Sequence, residues 1–221
     1  MKKMFLYIFT FVFIVGGCEI MDENKNISDT KLNETLPNTA AFQDPFTREF
    51  MVSSEEVEEG FFLFKSGTNG FTMLFPVNAR ISRSFYERVE NHDEAINVFE
   101  KNHETKTQYT IRLQYFDEES TSWIDSYLEL TSSYNGYEGK YEKYKMNNNT
   151  IFYAEDVKQI SEEQNGTGLF FFAFIKSNNS NQAIIYSYFS LCQKGESNCV
   201  LDEKTEREFA KKIMHSIRFE K

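Results

Sequence analysis

An α+β fold, an antiparallel sheet covered by helices on both faces, follows from three observations on the sequence. Short apolar runs of strand length recur after residue 60, several of them separated by turn residues such as Ser66-Gly67-Thr68-Asn69-Gly70 and Asn178-Asn179-Ser180-Asn181. Two runs, Leu169 to Ile175 and Ala183 to Phe189, are apolar on both parities, as strands are when they sit mid-sheet with both faces buried. Two other segments, 120–134 and 202–217, carry their apolar residues at helical spacing.

Taken in order, Phe61-Phe62-Leu63-Phe64 and Phe71 to Pro76 form a hairpin across the glycine-containing turn. Ala95 to Phe99 is a weaker strand. In Tyr109 to Phe116, Ile111, Leu113 and Tyr115 alternate with Arg112 and Gln114, so one face is wet. Ser120 to Tyr134 reads as a helix with Ser120 or Thr121 as N-cap, Trp123, Ile124, Tyr127, Leu128 and Thr131 as its buried stripe, and Asn135-Gly136 as its stop. Four strands follow at about 138–146, 150–157, 168–176 and 182–191, the last two paired antiparallel through the Asn178 turn. Asp202 then caps a final helix with Phe209, Ala210, Ile213, Met214 and Ile217 on one side.

Strands, helix, strands, helix is the order of an α/β/α sandwich. It resembles the PsbP/Mog1-like fold over about 60 to 221. There a strand of the type Gly70-Phe-Thr-Met-Leu-Phe75-Pro76 opens the domain and a helix ending like Ile213-Met-His-Ser-Ile217-Arg-Phe219 closes it. That family includes exported bacterial lipoproteins with no known activity. The matched positions are packing positions, so the resemblance assigns no functional residue.

The amino end says where such a domain is held. Lys2 and Lys3 precede Met4 to Val15, apolar apart from Thr10, which is the layout of a secretory signal. The run is shorter than the roughly 20 residues a helix needs to span the hydrocarbon layer. Val15-Gly16-Gly17-Cys18 resembles the bacterial lipobox, with Gly16 where Ala or Ser is commoner. An ordinary signal peptide with an incidental cysteine and an uncleaved anchor are the alternatives. The resemblance implies cleavage between Gly17 and Cys18 and a diacylglyceryl group on the Cys18 sulfur, the attachment to the membrane. Residues 1–17 are then signal peptide, 18–57 a lipidated, acidic, flexible tether, and 58–221 one globular domain. Phe42, Phe46 and Phe50, four apart around Pro45, allow a short helix from Pro45 that docks on the domain. The protein is expected on the outer face of a cell membrane. Its abundance of Phe, Tyr, Asn, Lys and Ile suggests a Gram-positive source.

Loss of Lys2 and Lys3 takes the net charge from −10 to −12. A nucleic acid would be repelled, and an anionic lipid surface would repel the domain, leaving the lipid on Cys18 as the anchor. Plain solubility is the simplest account of the charge. Cys192 and Cys199 remain and, outside the cytosol, should form a disulfide across a polar loop worth about 2–3 kcal/mol. Redox chemistry would favour Cys-x-x-Cys, and zinc would need two more ligands.

No nucleophile elbow, zinc-protease helix, Walker loop or dinucleotide fingerprint is present. No catalytic residue, metal or cofactor is therefore expected. His92-Asp93-Glu94 and His103-Glu104 flank one strand and would converge in a metal site; two polar loops are the plainer reading. Asp117-Glu118-Glu119 and Glu162-Glu163 read as solvated charges, and His215 as a cation at a helix C-terminus. Tyr134, Tyr137, Tyr141 and Tyr144, interleaved with Lys140 and Lys143, form a candidate binding surface for a protein or cell-wall glycan; cover for the sheet edge is the alternative. The functional expectation is a non-catalytic, lipid-anchored binding or accessory module. An enzyme with a metal-dependent site near His92 and His103, or a protective, immunity-type surface protein, are the alternatives.

Overall fold

The computed structural model describes residues 36–160, 166–193, 195 and 199–220. The signal peptide, Cys18, the first part of the expected tether and Glu162-Glu163 lie outside the described residues.

Two one-turn helices begin the body, α1 (Ala40–Gln43) and α2 (Pro45–Arg48). Asp44 caps α2 by accepting from the Thr47 N–H at 2.7 Å, and Pro45 supplies a preset φ at the first helical position. Ala41, Phe42, Thr47 and Phe50 are buried, Ile81 N–H donates to Thr47 Oγ1, and Met51 bridges antiparallel to Phe64. This corrects the expected boundary: 40–52 is a strap built into the domain, whose compact unit starts at Pro37 rather than at 58. A docked helix from Pro45 does form.

Behind the strap, β1 (Phe61–Lys65) and β2 (Phe71–Pro76) make the expected hairpin, with Phe62 opposite Phe75. β11 (Arg218–Phe219) adds to the other edge of β2, giving a three-stranded sheet in the order β1-β2-β11. This sheet is separate from the main one and meets it ring to ring. Phe71 lies 5.6 Å from Tyr115, and Gln182 Nε2 donates to Gly70 O, Tyr115 Oη and Glu220 O.

The main sheet contains β3 (Arg80–Ile81), β4 (Glu87–Val89), β5 (Asp93–Lys101), β6 (Thr107–Asp117), β7 (Glu142–Met146), β8 (Asn149–Ile160), β9 (Gly166–Ser177) and β10 (Gln182–Cys192). Its order is β3-β5-β6-β10-β9-β8-β7, with β4 also on β5 and every pairing antiparallel. The two runs apolar on both parities are neighbours in the middle, and Phe172, Phe174, Ile175, Ile184 and Tyr186 are fully buried. Asn147 and Asn148 take positive φ (49° and 46°) to turn the two-residue β7–β8 hairpin, as a primed turn demands. Cys192 and Cys199 are bonded at the far end of β10.

Ile184, Tyr186 and Tyr188 of β10 share one face. Upon it lies α4 (Glu203–Ser216), capped by Asp202 accepting from Thr205 N–H at 2.7 Å. Tyr186 Oη donates to Ala210 O, and Ile213, Met214 and Ile217 bury the expected stripe, each contributing on the order of 1.5–3 kcal/mol.

The opposite face holds Ala183 and Ile185 with Phe116, Phe152 and Phe174, a cluster packed under α3 (Ile124–Asn135). Tyr127 stacks on Phe174 at 5.0 Å and meets Phe116 edge-on. The helix stops at Gly136, left-handed with φ 56°, as expected. It starts later than expected. Glu119–Ser122 is a 3-10 turn, and Thr121 Oγ1 donates to Glu118 O and Asn181 O instead of capping. Trp123 therefore falls at the N-cap position, off the buried stripe, and is 66% exposed. The α+β class with an antiparallel sheet is as expected, and on this side α3 leaves Phe99, Thr110, Phe170 and Phe189 partly exposed.

Candidate binding face

Helix α3 and the loop after it split the tyrosine cluster. Tyr137 and Tyr141 meet each other edge-on and both meet Phe172, at 5.0 and 6.1 Å. Tyr141 Oη lies 2.9 Å from Ser132 Oγ, and burial raises its pKa. Tyr144, three residues on in an extended chain, faces the other way and meets His215 Nε2 at 2.9 Å, its hydroxyl pushed up to about 12 by burial and by Glu142. Burial, then Lys211 and Arg218, lower the His215 pKa, which opposes the charge favoured at a helix C-terminus. Tyr134 is 61% exposed. The four tyrosines thus do not share a surface: two cover Phe172, one anchors α4, and one is free. An open groove of about 750 Å³ along α3 is lined by Tyr137 with Asp125, Glu129 and Glu138.

The histidines do not converge. His92 precedes β5 and His103 follows it, so nine strand residues, roughly 30 Å, separate them. Among the described residues no three His, Cys, Asp or Glu side chains are placed to hold a metal ion. Glu118 accepts from Ser120 Oγ (2.7 Å) and Tyr127 Oη (2.9 Å), two bonds that hold its pKa down and tie the 3-10 turn to α3.

Two clusters have the look of chemistry but are engaged in holding the fold. Tyr109 Oη donates to Glu100 Oε2 at 2.7 Å and Tyr188 Oη to Glu206 Oε2, the two rings stacked at 5.3 Å. Burial raises the Glu100 pKa, Glu206 adds to it, and the bond from Tyr109 opposes. The pair closes α4 onto the sheet. Glu94, 0% exposed, accepts from Gly67 N–H (2.8 Å), Thr68 N–H (3.0 Å) and Thr68 Oγ1–H (2.8 Å). It clamps the β1–β2 turn beside a cleft of about 680 Å³ lined in part by Phe46, Phe50, Tyr86 and Arg88. Tyr86 is pushed up to about 12 by burial and then by Glu94.

The remaining feature is the part of the main sheet that α3 leaves open. Register places Arg80, Phe99, Thr110, Phe189 and Phe170 in one row across β3, β5, β6, β10 and β9. Phe99, Thr110, Phe170 and Phe189 are all partly exposed. Phe170 and Phe189 stack at 4.2 Å, and Lys158 sits over Phe170 at 5.1 Å. Thr110 is small between Phe99 and Phe189, which stand two strands apart, about 9–10 Å. The result is a shallow trough with Arg112 two residues along β6. The wet parity of β6 was legible in the sequence; the row was not, because it needs the register of five strands. Among the described residues no helix is long and apolar enough to cross a membrane.

A family model described as "Putative lipoprotein YvcA" matches residues 37–218. The Bacillus subtilis (strain 168) protein of that description is 28% identical over 234 residues, covering 99% of this chain and 97% of the relative. The family match starts at Pro37, where the compact unit begins, and runs to Arg218 in β11.

Proposed function

The chain belongs to the YvcA lipoprotein family, and on that premise we propose that it is a lipid-anchored, non-catalytic surface module that binds a partner through the open half of its main sheet. Lipid on Cys18 is the anchor. The lipobox-like Val15-Gly16-Gly17-Cys18 and the relative's description as a lipoprotein support it. Two acyl chains hold a protein stably where one is marginal. The observation that carries the binding reading is the trough at Thr110, a partly exposed aromatic and cationic surface on the strands that α3 leaves open. The non-catalytic reading is supported by the engagement of Glu94, Glu118 and Glu206 in holding turns and helices.

Mass spectrometry of the native protein tests the anchor. The expected mature chain begins at Cys18 with a diacylglyceryl mass, and a free thiol there or a retained 1–17 would overturn it. Photo-crosslinking from position 110 on intact cells tests the surface, with an adduct expected from 110 and none from a control position on α4.

A further inference from the structure

We infer that the open half-sheet takes an anionic polysaccharide, with sugar rings lying in the trough over Thr110 and their acid groups on Arg112, Arg80 and Lys101. This rests on the binding-module reading above and names its ligand class. The charge argument is local. In a chain of net charge −10, this face gathers Arg80, Lys101 and Arg112, all exposed, and none of the three makes an ion pair among the described residues. Among the described residues the acid beside the row is Asp156, 3.5 Å from Lys158, while Glu87 and Asp93 lie further down β4 and β5.

Shape selects a sugar over an acidic peptide. A peptide strand gains its affinity by hydrogen-bonding to a sheet edge, and a face offers it no free backbone groups. This face offers Phe99 and Phe189 on either side of a threonine floor, with the partly exposed polar side chains of Asn97, Gln114 and Ser187 around them. An aromatic ring presents an apolar surface to the C–H side of a pyranose, and amides and hydroxyls suit its rim. Neighbouring rows of side chains are about 4.8 Å apart across the strands, close to the length of one sugar unit. Acid groups along such a chain would meet cations at both ends of the trough, and guanidinium groups bind carboxylates two bonds at a time.

The test uses the full-length lipoprotein in detergent and fluorescein-labelled polygalacturonate, with affinity read by anisotropy. Neutral dextran and poly-L-glutamate of matched length are the comparison probes. Polygalacturonate is expected to bind more tightly than either. Arg80→Ala with Arg112→Ala should weaken it by about tenfold or more, the scale of losing charge-assisted bonds. Thr110→Phe, which fills the trough with a residue that strands favour, should abolish it while leaving the melting curve in place. Lack of polygalacturonate binding at low salt, indifference to both variants, or equal binding of poly-L-glutamate each overturns the inference. A position-110 crosslink to a protein on cells, with no polysaccharide binding, removes the glycan and keeps the binding module. No crosslink and no polysaccharide binding removes both.

Discussion

Replacing Glu94 with Gln should cost the domain about 2–3 kcal/mol. From the β1–β2 turn the fully buried wild-type carboxylate accepts three hydrogen bonds, one on Oε1 from Gly67 and two on Oε2 from Thr68, with the Tyr86 hydroxyl a further neighbour. Gln keeps a single oxygen. Turned to Thr68 it saves two bonds and sets its own N–H group against the Gly67 N–H, which costs roughly 1–3 kcal/mol for a buried donor without a partner. The two surviving bonds lose their charge, at about 1 kcal/mol each. Relief of the carboxylate's desolvation offsets part of this. For a unit of this size the net amounts to a fall in Tm of about 5–10 °C. Thermal and urea unfolding followed by circular dichroism would measure it, and hydrogen exchange should show the Gly67 and Thr68 amides opening first. A variant within about 0.5 kcal/mol of wild type, with those amides still protected, would refute the clamp.

Three other perturbations have outcomes fixed by the geometry. A Cβ at Gly70 would fall 2.2 Å from the Tyr115 ring and hydroxyl, which are buried and held by Gln182, so Gly70→Ala should destabilise by about 1–3 kcal/mol in urea unfolding. Replacing both Cys192 and Cys199 with Ser should lower stability by about 2–3 kcal/mol while leaving the far-UV spectrum unchanged, since β10 is paired on both sides along its length. Glu100 binds its proton more tightly folded than unfolded, so its contribution is present below its ordinary pKa and lost as pH rises through the folded value. Glu100→Gln should therefore gain on wild type between pH 4 and pH 7 in urea midpoints, and a constant or shrinking difference would contradict it.

Strand identity was legible wherever one chain's own pattern decided it. Ile111, Leu113 and Tyr115 against Arg112 and Gln114 fixed β6, and the doubly apolar runs placed β9 and β10 at the centre. The division into two sheets was not legible. Phe71 to Pro76 alternates as any strand would. That it lies over Tyr115 rather than beside a main-sheet strand depends on Gln182 reaching Gly70 and Glu220, contacts far apart in sequence. Trp123 and the strap failed for related reasons. The helical spacing around 120–134 does not say where the first turn tightens to 3-10. The spacing of Phe42, Phe46 and Phe50 allowed a docked helix, but the polar composition of 37–57 set the domain boundary too late, because the pockets of Phe42 and Phe50 are made by Phe62 and Phe64.

Net charge says little about the proposed binding face, and the reason makes a kinetic prediction. A total of −10 governs the field at a distance, whereas contact is governed by charges within a Debye length, about 8–10 Å at physiological salt. Arg80, Lys101 and Arg112 lie one strand or two residues from the trough, inside that range. On the proposed reading, an anionic chain is repelled on approach and held on arrival. Salt should act on the two steps in opposite senses of affinity. Screening the long-range repulsion speeds association, and screening the contacts speeds dissociation. Stopped-flow anisotropy with labelled polygalacturonate should show both rate constants rising between low and physiological salt. Association slowing with salt would mean that the approaching chain sees a positive surface, and the attraction would then have to come from charges outside this row.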